Sequence, residues 1–416
     1  MKVIVIGAGI GGLATAAGLR RLGAEVTVLE RAAELRADGS GISLWDNAFT
    51  ALDVLGTGDG VRAVSGRSAA SLQAGQRVPD GRWLSRTPHD AVAGLRILHR
   101  ADLQAVLLAA AGEVRCGVQV SGVSADGRSV SYTESGSPTT ETADVVVAAD
   151  GIRSRVRASW PGDPGLRYSG YSAWRAITAE PVDLLGSAGE TWGRGLRFGQ
   201  APLRDGRVYW FGVASLPAGQ VYPDEVAAVR EAFAGWHDPI PALLEATPPE
   251  AVHRLDIHDL AAPAPTFRRG RCVLLGDAAH AMTPDLGQGG GQAVEDAATL
   301  VRLLENARVD AGIDAGIDEA LTRYDALRRP RTARLLRTAR RLGAVAQASS
   351  PVLGAVRDTA LRLLPDAVAG AQVRRIQSWQ PPARPGTCGA GPRTRGAGPG
   401  TRGADVDSAP RVPGVR

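Results

Sequence analysis

A glycine-rich turn near the start of the chain constrains the possible fold more than any other feature. Residues 2–6 form a short apolar, β-branched run that predicts a buried parallel strand, and residues 13–22 have helical periodicity. Between them lies a glycine-rich turn with the spacing Gly7-x-Gly9-x-x-Gly12. Gly7 permits the tight turn, Gly9 lets the backbone approach a pyrophosphate, and Gly12 permits close packing of strand against helix. The pattern predicts a βαβ unit that opens an α/β domain.

An acidic residue at the end of the next strand extends this pattern. Residues 25–30 have an apolar centre and end at Glu30, where a carboxylate can accept hydrogen bonds from a ribose. The helix N-terminus after the glycines would present free N–H groups to phosphates. Strand, glycines, helix and acid occur in order, so a dinucleotide site is favoured over a glycine turn without a ligand. The motif alone does not distinguish FAD from NAD(P).

Two further motifs follow buried apolar strands. Asp150 and Gly151 open the segment DGIRSRVR, and Gly276 and Asp277 open GDAAHAMTP, which continues as DLGQGGGQAVED. An aspartate at a strand end can bind a sugar-like chain of hydroxyl groups. A glycine loop that leads into a helix N-terminus favours negative charge on a ligand ring.

The three motifs, in this order and spacing, resemble the single-component FAD-dependent aromatic hydroxylases of the para-hydroxybenzoate hydroxylase class. The resemblance covers nearly everything up to Trp379. It implies a Rossmann-like FAD-binding domain with an inserted antiparallel-sheet substrate domain. The segments GYSAWR (170–175), IHD (257–259) and TPDLGQGG (283–290) are most similar to the urate hydroxylase, salicylate hydroxylase and zeaxanthin epoxidase branch.

This resemblance implies roles for particular residues. Glu30 would bind the adenosine ribose, Asp277 would bind the ribityl chain, and Pro284 would lie beside the isoalloxazine ring. The expected cofactor-binding residues are Gly7, Gly9, Gly11, Gly12, Glu30, Arg31, Arg100, Gln104, Asp150, Gly151, Arg153, Gly276, Asp277, Pro284, Gly287, Gln288, Gly289 and Gly290.

The expected catalytic residues are Arg197, Tyr209 and Pro284. Arg197 and Tyr209 resemble an arginine and a tyrosine, about twelve residues apart on facing strands, that urate hydroxylases use to bind and activate substrate. An arginine packed along aromatic strands is an equal alternative for this pair.

The resemblance also implies the reaction. NADH or NADPH would reduce FAD, O2 would add to it, and the flavin C4a-hydroperoxide would hydroxylate a small aromatic or heteroaromatic substrate. No second dinucleotide fingerprint follows a strand, so the nicotinamide coenzyme would bind transiently. The alternatives are an epoxidase of an alkene or polyene, an FAD-linked dehydrogenase or reductase without oxygen insertion, a cofactor-bound protein without catalysis, and a nucleic-acid binder.

The predicted domains are discontinuous. We expect an FAD-binding domain (1–72, 97–165 and 262–345), a substrate domain (73–96 and 166–261), a C-terminal helical segment (346–379) and a disordered tail (380–416). We also expect Pro330 to interrupt the arginine-rich helix of residues 320–345.

The charge of the chain has little bearing on its function. Its formal net charge is +5, and all but one of the 48 basic residues are arginine. Most of the excess lies in the predicted tail, so we expect no nucleic-acid partner. The three cysteines form no CxxC pair, which argues against a metal site and favours the cytoplasm. No apolar run is long enough for a membrane span. We expect a monomer or homodimer.

Overall fold

The computed structural model describes residues 1–35, 40–66, 72–310 and 313–384, so most of the predicted disordered tail lies outside the described residues. The strands are β1 (Lys2–Ile6), β2 (Glu25–Leu29), β3 (Gly41–Leu44), β4 (Gln73–Arg77), β5 (Trp83–Arg86), β6 (Arg96–His99), β7 (Gln119–Val123), β8 (Ser129–Glu134), β9 (Ser137–Thr142), β10 (Val145–Ala148), β11 (Leu166–Ile177), β12 (Ser187–Trp192), β13 (Leu196–Pro202), β14 (Val208–Ala214), β15 (His253–Leu260), β16 (Arg268–Arg269) and β17 (Cys272–Leu274).

Helices connect and cover these strands, and 3-10 turns occur at Pro249–Ala251 and Pro284–Leu286. The helices are α1 (Ile10–Arg21), α2 (Asp46–Leu55), α3 (Gly58–Val64), α4 (His89–Val92), α5 (Arg100–Ala111), α6 (Arg155–Ala158), α7 (Glu225–Ala232), α8 (Ile240–Glu245), α9 (Asp277–His280), α10 (Gly289–Asp310), α11 (Ile313–Ala346), α12 (Pro351–Leu363) and α13 (Asp366–Gln377).

A five-stranded sheet, in the order β16-β17-β10-β1-β2, forms the first layer. Strands β17, β10, β1 and β2 run parallel, and Val3 pairs in register with Val145 and Val26. Helices pack on the sheet, so its central strands consist of buried β-branched residues. The predicted βαβ unit and the α/β class are confirmed.

A second, seven-stranded sheet has the order β15-β11-β14-β13-β12-β4-β5. Neighbouring strands in this sheet run antiparallel, except β12 and β4, which run parallel to each other. One face packs against α7 and α8: the ring of Phe198 stacks on Trp210 at 5.3 Å and meets Phe233 edge-on at 5.2 Å. We call this the outer face.

The opposite face of this sheet, which we call the inner face, lies against β3 and the turn Pro284–Leu286. The ring of Tyr209 is so close to Gly41 that a Cβ there would overlap it. Tyr171 and Arg197 both bond to Asp285. The inner-face residues of β11, β13 and β14 are Tyr171, Ala173, Arg175, Ile177, Arg197, Gly199, Ala201, Tyr209, Phe211 and Val213.

The predicted interruption at Pro330 is wrong, because α11 continues through this proline. Buried contacts anchor the helix on either side of it. The hydroxyl of Tyr324 donates to the carbonyl of Leu274, Arg328 lies in buried ion pairs, and Leu336 is buried in an apolar cluster. Tertiary contacts therefore offset the roughly 3 kcal/mol that a proline costs inside a helix.

The described part of the chain offers neither a membrane-spanning helix nor a metal cluster. No helix in those ranges is both long and apolar enough to cross a bilayer. No three His, Cys, Asp or Glu side chains there are grouped to hold an ion. Cys116 and Cys272 are free thiols.

Replacing the proline of α11 tests how this helix is stabilised. We expect Pro330→Ala to raise the melting temperature, because alanine restores the backbone donor that proline lacks. Ala333→Pro, one turn later on the same helix, should lower stability by about 3 kcal/mol. Thermal unfolding followed by circular dichroism measures both. A lower melting temperature for Pro330→Ala would contradict this account of the helix.

Candidate functional site

The three predicted motifs meet at one edge of the first sheet. Gly7 follows β1, Asp150 follows β10 and Gly276 follows β17, and these strands are parallel neighbours. The carboxyl ends of parallel strands lie at the same edge, where α/β proteins bind ligands. The first motif directly contacts the segment that leads into the second, since a Cβ at Gly7 would overlap the carbonyl of Ala149.

The first glycine turn combines close packing with open space. Gly7 has a φ of 102°, and a Cβ at Gly12 would overlap the carbonyl oxygen of Gly7. A Cβ at Gly9 would meet nothing within 4 Å. Gly9 is also the N-cap of α1 and supplies no side-chain cap. An anion can therefore approach the N-terminal N–H groups of α1 beside Gly9.

Glu30 lies next to this turn, as predicted. One carboxylate oxygen accepts from the backbone N–H of Ala8 at 2.8 Å, and the other accepts from that of Ala32 at 2.9 Å. The turn and the acid are thus connected before any ligand binds. Arg31 is exposed directly after Glu30.

Helix α5 presents Arg100 and Gln104 one turn apart. Arg100 is the first residue of the helix and is exposed, and Gln104 is half-buried. The ring of His99 caps the helix by accepting from the N–H of Ala101 at 3.2 Å.

Asp150 has one bonded and one unbonded oxygen. One carboxylate oxygen accepts from the backbone N–H of Arg155 at 2.9 Å and so fixes the start of α6. The other, Oδ1, is buried and has no partner in the described part of the chain. A buried acceptor without a donor is costly, so this oxygen marks a place where a ligand group would donate. Gly151 has a φ of 80°, and Arg153 is exposed.

The third motif places an exposed acid beside open space. Asp277 is the first residue of α9 and is exposed. Gly276 before it and Gly287 in the following loop have φ values of 63° and 59°. At Gly289, which begins α10, a Cβ would meet nothing within 4 Å. Gly290 packs closely on Ile42 of β3.

A buried ionic cluster lies directly behind this loop. Asp296 accepts from the N–H of Gly276 at 2.8 Å, from His280 Nε2 at 2.6 Å and from Arg328 Nε at 2.5 Å. Glu295 bonds to Arg328 at 2.5 Å and to the amide of Asn47 at 2.6 Å. The cluster joins α2, α10 and α11 to the loop that carries Asp277.

The charges of this cluster favour its ionised form. Burial alone would raise the pKa of Asp296, but His280 and Arg328 beside it lower that pKa to about 2. Burial opposes ionisation of Glu295 as well, and Arg328 and Arg331 lower its pKa. A lowered carboxylate pKa stabilises the fold at neutral pH, and this stabilisation decreases as the pH falls towards 2.

Sequence reasoning did not identify this cluster. Glu295 and Asp296 are part of the third motif, but their partner Arg328 lies on another helix among many arginines. No spacing rule distinguishes this arginine from the other arginines of α11. His280 is buried against Asp296, which fits a structural role better than that of a base for substrate.

Arg197 and Tyr209 share the inner face but are not opposite each other. Arg197 pairs in register with Val213, whereas Tyr209 pairs with Ala201, four residues further along β13. The structure therefore separates the two side chains by roughly 13 Å along the strand.

Asp285, which follows Pro284 in the chain, forms an ion pair with Arg197. Arg197 is 2% exposed and donates to Asp285 Oδ1 at 2.7 Å. The Tyr171 hydroxyl donates to the other oxygen of Asp285 at 2.6 Å. Burial, together with the charge of Asp285, raises the pKa of Tyr171. The turn that contains Pro284 is thereby tied to the inner face.

Removing one member of the buried cluster should be far more damaging than removing a surface partner. Asp296→Ala leaves Arg328 buried without that carboxylate, which costs about 3 to 5 kcal/mol. Asp53→Ala removes an exposed partner of Arg62, which costs at most about 1 kcal/mol. Urea unfolding compares the two variants. Similar losses of stability would show that the cluster is not a structural centre.

Two glycine variants distinguish ligand space from packing. Gly9→Val fills space that is open in the protein alone, so we expect normal folding but loss of bound flavin. Gly12→Val should impair folding itself, because the valine side chain would overlap the Gly7 carbonyl and destabilise the fold. Flavin absorbance and melting temperature of the purified variants measure both effects. Full flavin content in Gly9→Val would rule out this space as part of the cofactor site.

Comparisons with known proteins agree with this geometry. A family model described as FAD binding domain matches residues 1–339. The chain is 37% identical over 391 residues to an aurachin C monooxygenase/isomerase from Stigmatella aurantiaca, covering 92% of this chain and 99% of that protein. It is 34% identical over 358 residues to an FAD-dependent urate hydroxylase from Klebsiella pneumoniae, covering 82% and 89%.

Solved structures show the same architecture. Klebsiella pneumoniae HpxO complexed with FAD and uric acid matches with a TM-score of 0.80 and 30% identity, covering 91% of this chain and 96% of that one. A salicylate hydroxylase substrate complex matches with a TM-score of 0.73 and 27% identity, again covering 91% and 96%.

The residues at the sheet edge fit FAD. The open space beside Gly9 and Gly289, the exposed Asp277 and the unpaired oxygen of Asp150 are of the kinds that phosphate, ring and hydroxyl groups of FAD require. The resemblance to FAD-dependent aromatic hydroxylases is confirmed. The chain belongs to the FAD binding domain family, and it is an FAD-dependent monooxygenase.

Proposed function

We propose that this monooxygenase uses NADH or NADPH and O2 to hydroxylate a small aromatic or heteroaromatic compound between the inner face and the Pro284 turn. The observation that carries the proposal is the contact of Tyr171 and Arg197 with Asp285. It brings an aromatic-rich sheet against the loop that leads into the flavin motif. Bound FAD supplies the redox chemistry that activates O2.

On the cofactor side, we assign each motif a binding task. The N-terminus of α1 beside Gly9 would bind the pyrophosphate, Glu30 the adenosine ribose and Asp277 the ribityl hydroxyls. The N-terminus of α10 at Gly289 would favour negative charge on the flavin ring, because unpaired backbone N–H groups point outward there. Asp150 and Arg153 would add contacts to FAD and to the transient nicotinamide coenzyme.

On the substrate side, we assign Arg197 a positioning role. Its guanidinium bonds to Asp285 and to the side chain of Gln347 at 2.9 Å, so little of its charge is available to a ligand. The bond to Asp285 ties the Pro284 turn to the inner face, which would help to exclude water from the reacting ring. Tyr209 would border the substrate on the same face.

Relatives support an aromatic substrate. They include the urate hydroxylases, a 2-heptyl-3-hydroxy-4(1H)-quinolone synthase from Pseudomonas aeruginosa and a 3-amino-4-hydroxybenzoate 2-monooxygenase from Streptomyces cremeus. These names describe aromatic or heteroaromatic compounds, so hydroxylation of such a ring is favoured over epoxidation of a polyene.

We also propose the predicted division into two domains, one around each large sheet, and a monomer or homodimer as the working form. Dependence on a reduced nicotinamide coenzyme favours the cytoplasm as the compartment.

A coenzyme-oxidation screen tests the reaction. We expect one or more aromatic acids, purines or quinolones to stimulate NADH or NADPH oxidation by the flavin-loaded enzyme. The product should gain one oxygen atom, labelled when 18O2 is supplied, as read by mass spectrometry. Equal product formation without oxygen would contradict monooxygenation, and a polyene epoxide as the preferred product would favour the epoxidase alternative.

A further inference from the structure

Arg175 is an inner-face residue that the site described above does not use. It lies on β11 between Ala173 and Ile177, which belong to inner-face clusters, while Trp174 and Ala176 belong to the outer-face cluster. Alternation along the strand therefore directs the Arg175 side chain to the inner face. The residue is half-buried.

The charge of Arg175 is not compensated. In the part of the chain that the structure describes, its guanidinium has neither a hydrogen bond nor an ion pair. Arg197 on the same face contrasts with it, because Arg197 bonds to Asp285 and lies 3.5 Å from Glu190. A guanidinium has five N–H donors, and removing it from water without a partner costs free energy. Arg175 is therefore suited to bind an anionic ligand.

Aromatic residues occupy neighbouring inner-face positions of β14. Arg175 pairs in register with Phe211 on β14, whose half-buried ring lies over Gly199 so closely that a Cβ there would overlap it. The ring of Tyr209 is 6.2 Å from that of Phe211, centroid to centroid. A planar ring can stack here while an anionic oxygen meets the guanidinium.

The edge of the sheet next to Arg175 is open to solvent. On the edge strand β15, His253 lies directly across from Arg175 and is exposed. Leu255, two residues further, is 51% exposed. A ligand could therefore approach Arg175 from this edge.

We propose that Arg175 binds an anionic oxygen of the aromatic substrate and makes the enzyme selective for negatively charged aromatic compounds. This proposal rests on the function proposed above. The oxygen belongs to a carboxylate or to an ionised ring hydroxyl, which share the same charge-assisted hydrogen bonds to a guanidinium. Arg175 sets specificity, and Arg197 positions the Pro284 turn.

Calorimetric titration of the flavin-loaded enzyme with matched ligand pairs tests this inference. One pair is 4-hydroxybenzoate and 4-hydroxybenzamide, for the carboxylate. The other is 4-nitrophenolate and 4-nitroanisole, for the ionised ring oxygen. We expect the anionic member of at least one pair to bind about tenfold tighter or more, which corresponds to about 1.4 kcal/mol. The pair that shows the preference identifies the source of the anionic oxygen.

Three variants assign the preference to Arg175. Arg175→Gln should bind both members of the pair equally, with unchanged affinity for the neutral one, and Arg175→Lys should recover part of the preference. The matched control is Arg337→Gln, which changes an exposed arginine of α11 that is also without an ion pair among the described residues. This control should behave like the unmodified enzyme.

Several results would overturn the inference: equal binding of anionic and neutral ligands by the unmodified enzyme, no binding of either anion, or an unchanged preference in Arg175→Gln with normal flavin content. Failure of the proposed function is a separate result. The proposed function alone would fail if the charge preference depends on Arg175 but no aromatic compound yields an oxygenated product in the coenzyme screen.

Discussion

The buried guanidinium of Arg328 is the interaction on which the flavin site most depends. It bonds to Asp296 and Glu295, and all three side chains are at most 1% exposed. Through Asp296 the cluster reaches the backbone of Gly276 and the ring of His280, and through Glu295 it reaches Asn47. Burying an ion pair is costly unless every group finds a partner. That requirement fixes the loop of Asp277 relative to three helices.

The inner face shows how two arginines of the same sheet can have different tasks. Arg197 is neutralised by Asp285 and Glu190, so its bonds serve to join the second sheet to the Pro284 turn. Arg175 pairs in register with Phe211 and has no such acidic partner in the described ranges. The difference lies in which acid reaches each strand position. Both residues are arginines on strands of the same sheet.

Much of the cofactor side could be predicted from the sequence, because its signals are local. The glycines of the first turn and the acid at Glu30 occur at fixed spacings within one βαβ unit. Their roles follow from backbone geometry that only glycine tolerates, as the close contact of Gly12 with Gly7 illustrates. The domain division and the catalytic roles of Arg197, Tyr209 and Pro284 stay predictions.

Interactions between distant segments could not be predicted in this way. Local rules predict a helix break at Pro330, yet α11 continues through it. Buried contacts of Tyr324 and Arg328 stabilise the helix there. Arg197 and Tyr209 lie on facing strands, but the spacing does not reveal that the register of β13 and β14 offsets the two residues. Register depends on the whole sheet and its turns, which a spacing of residues does not contain.

The sequence by itself determined the α/β class, the dinucleotide turn and the order of the three flavin motifs, because strands, glycine turns and helix starts depend on neighbouring residues. Only the tertiary structure decided which charges are compensated. Arg328 and Arg197 find buried acids, whereas Arg175 finds none among the described residues, and such pairing depends on distances between segments far apart in the chain.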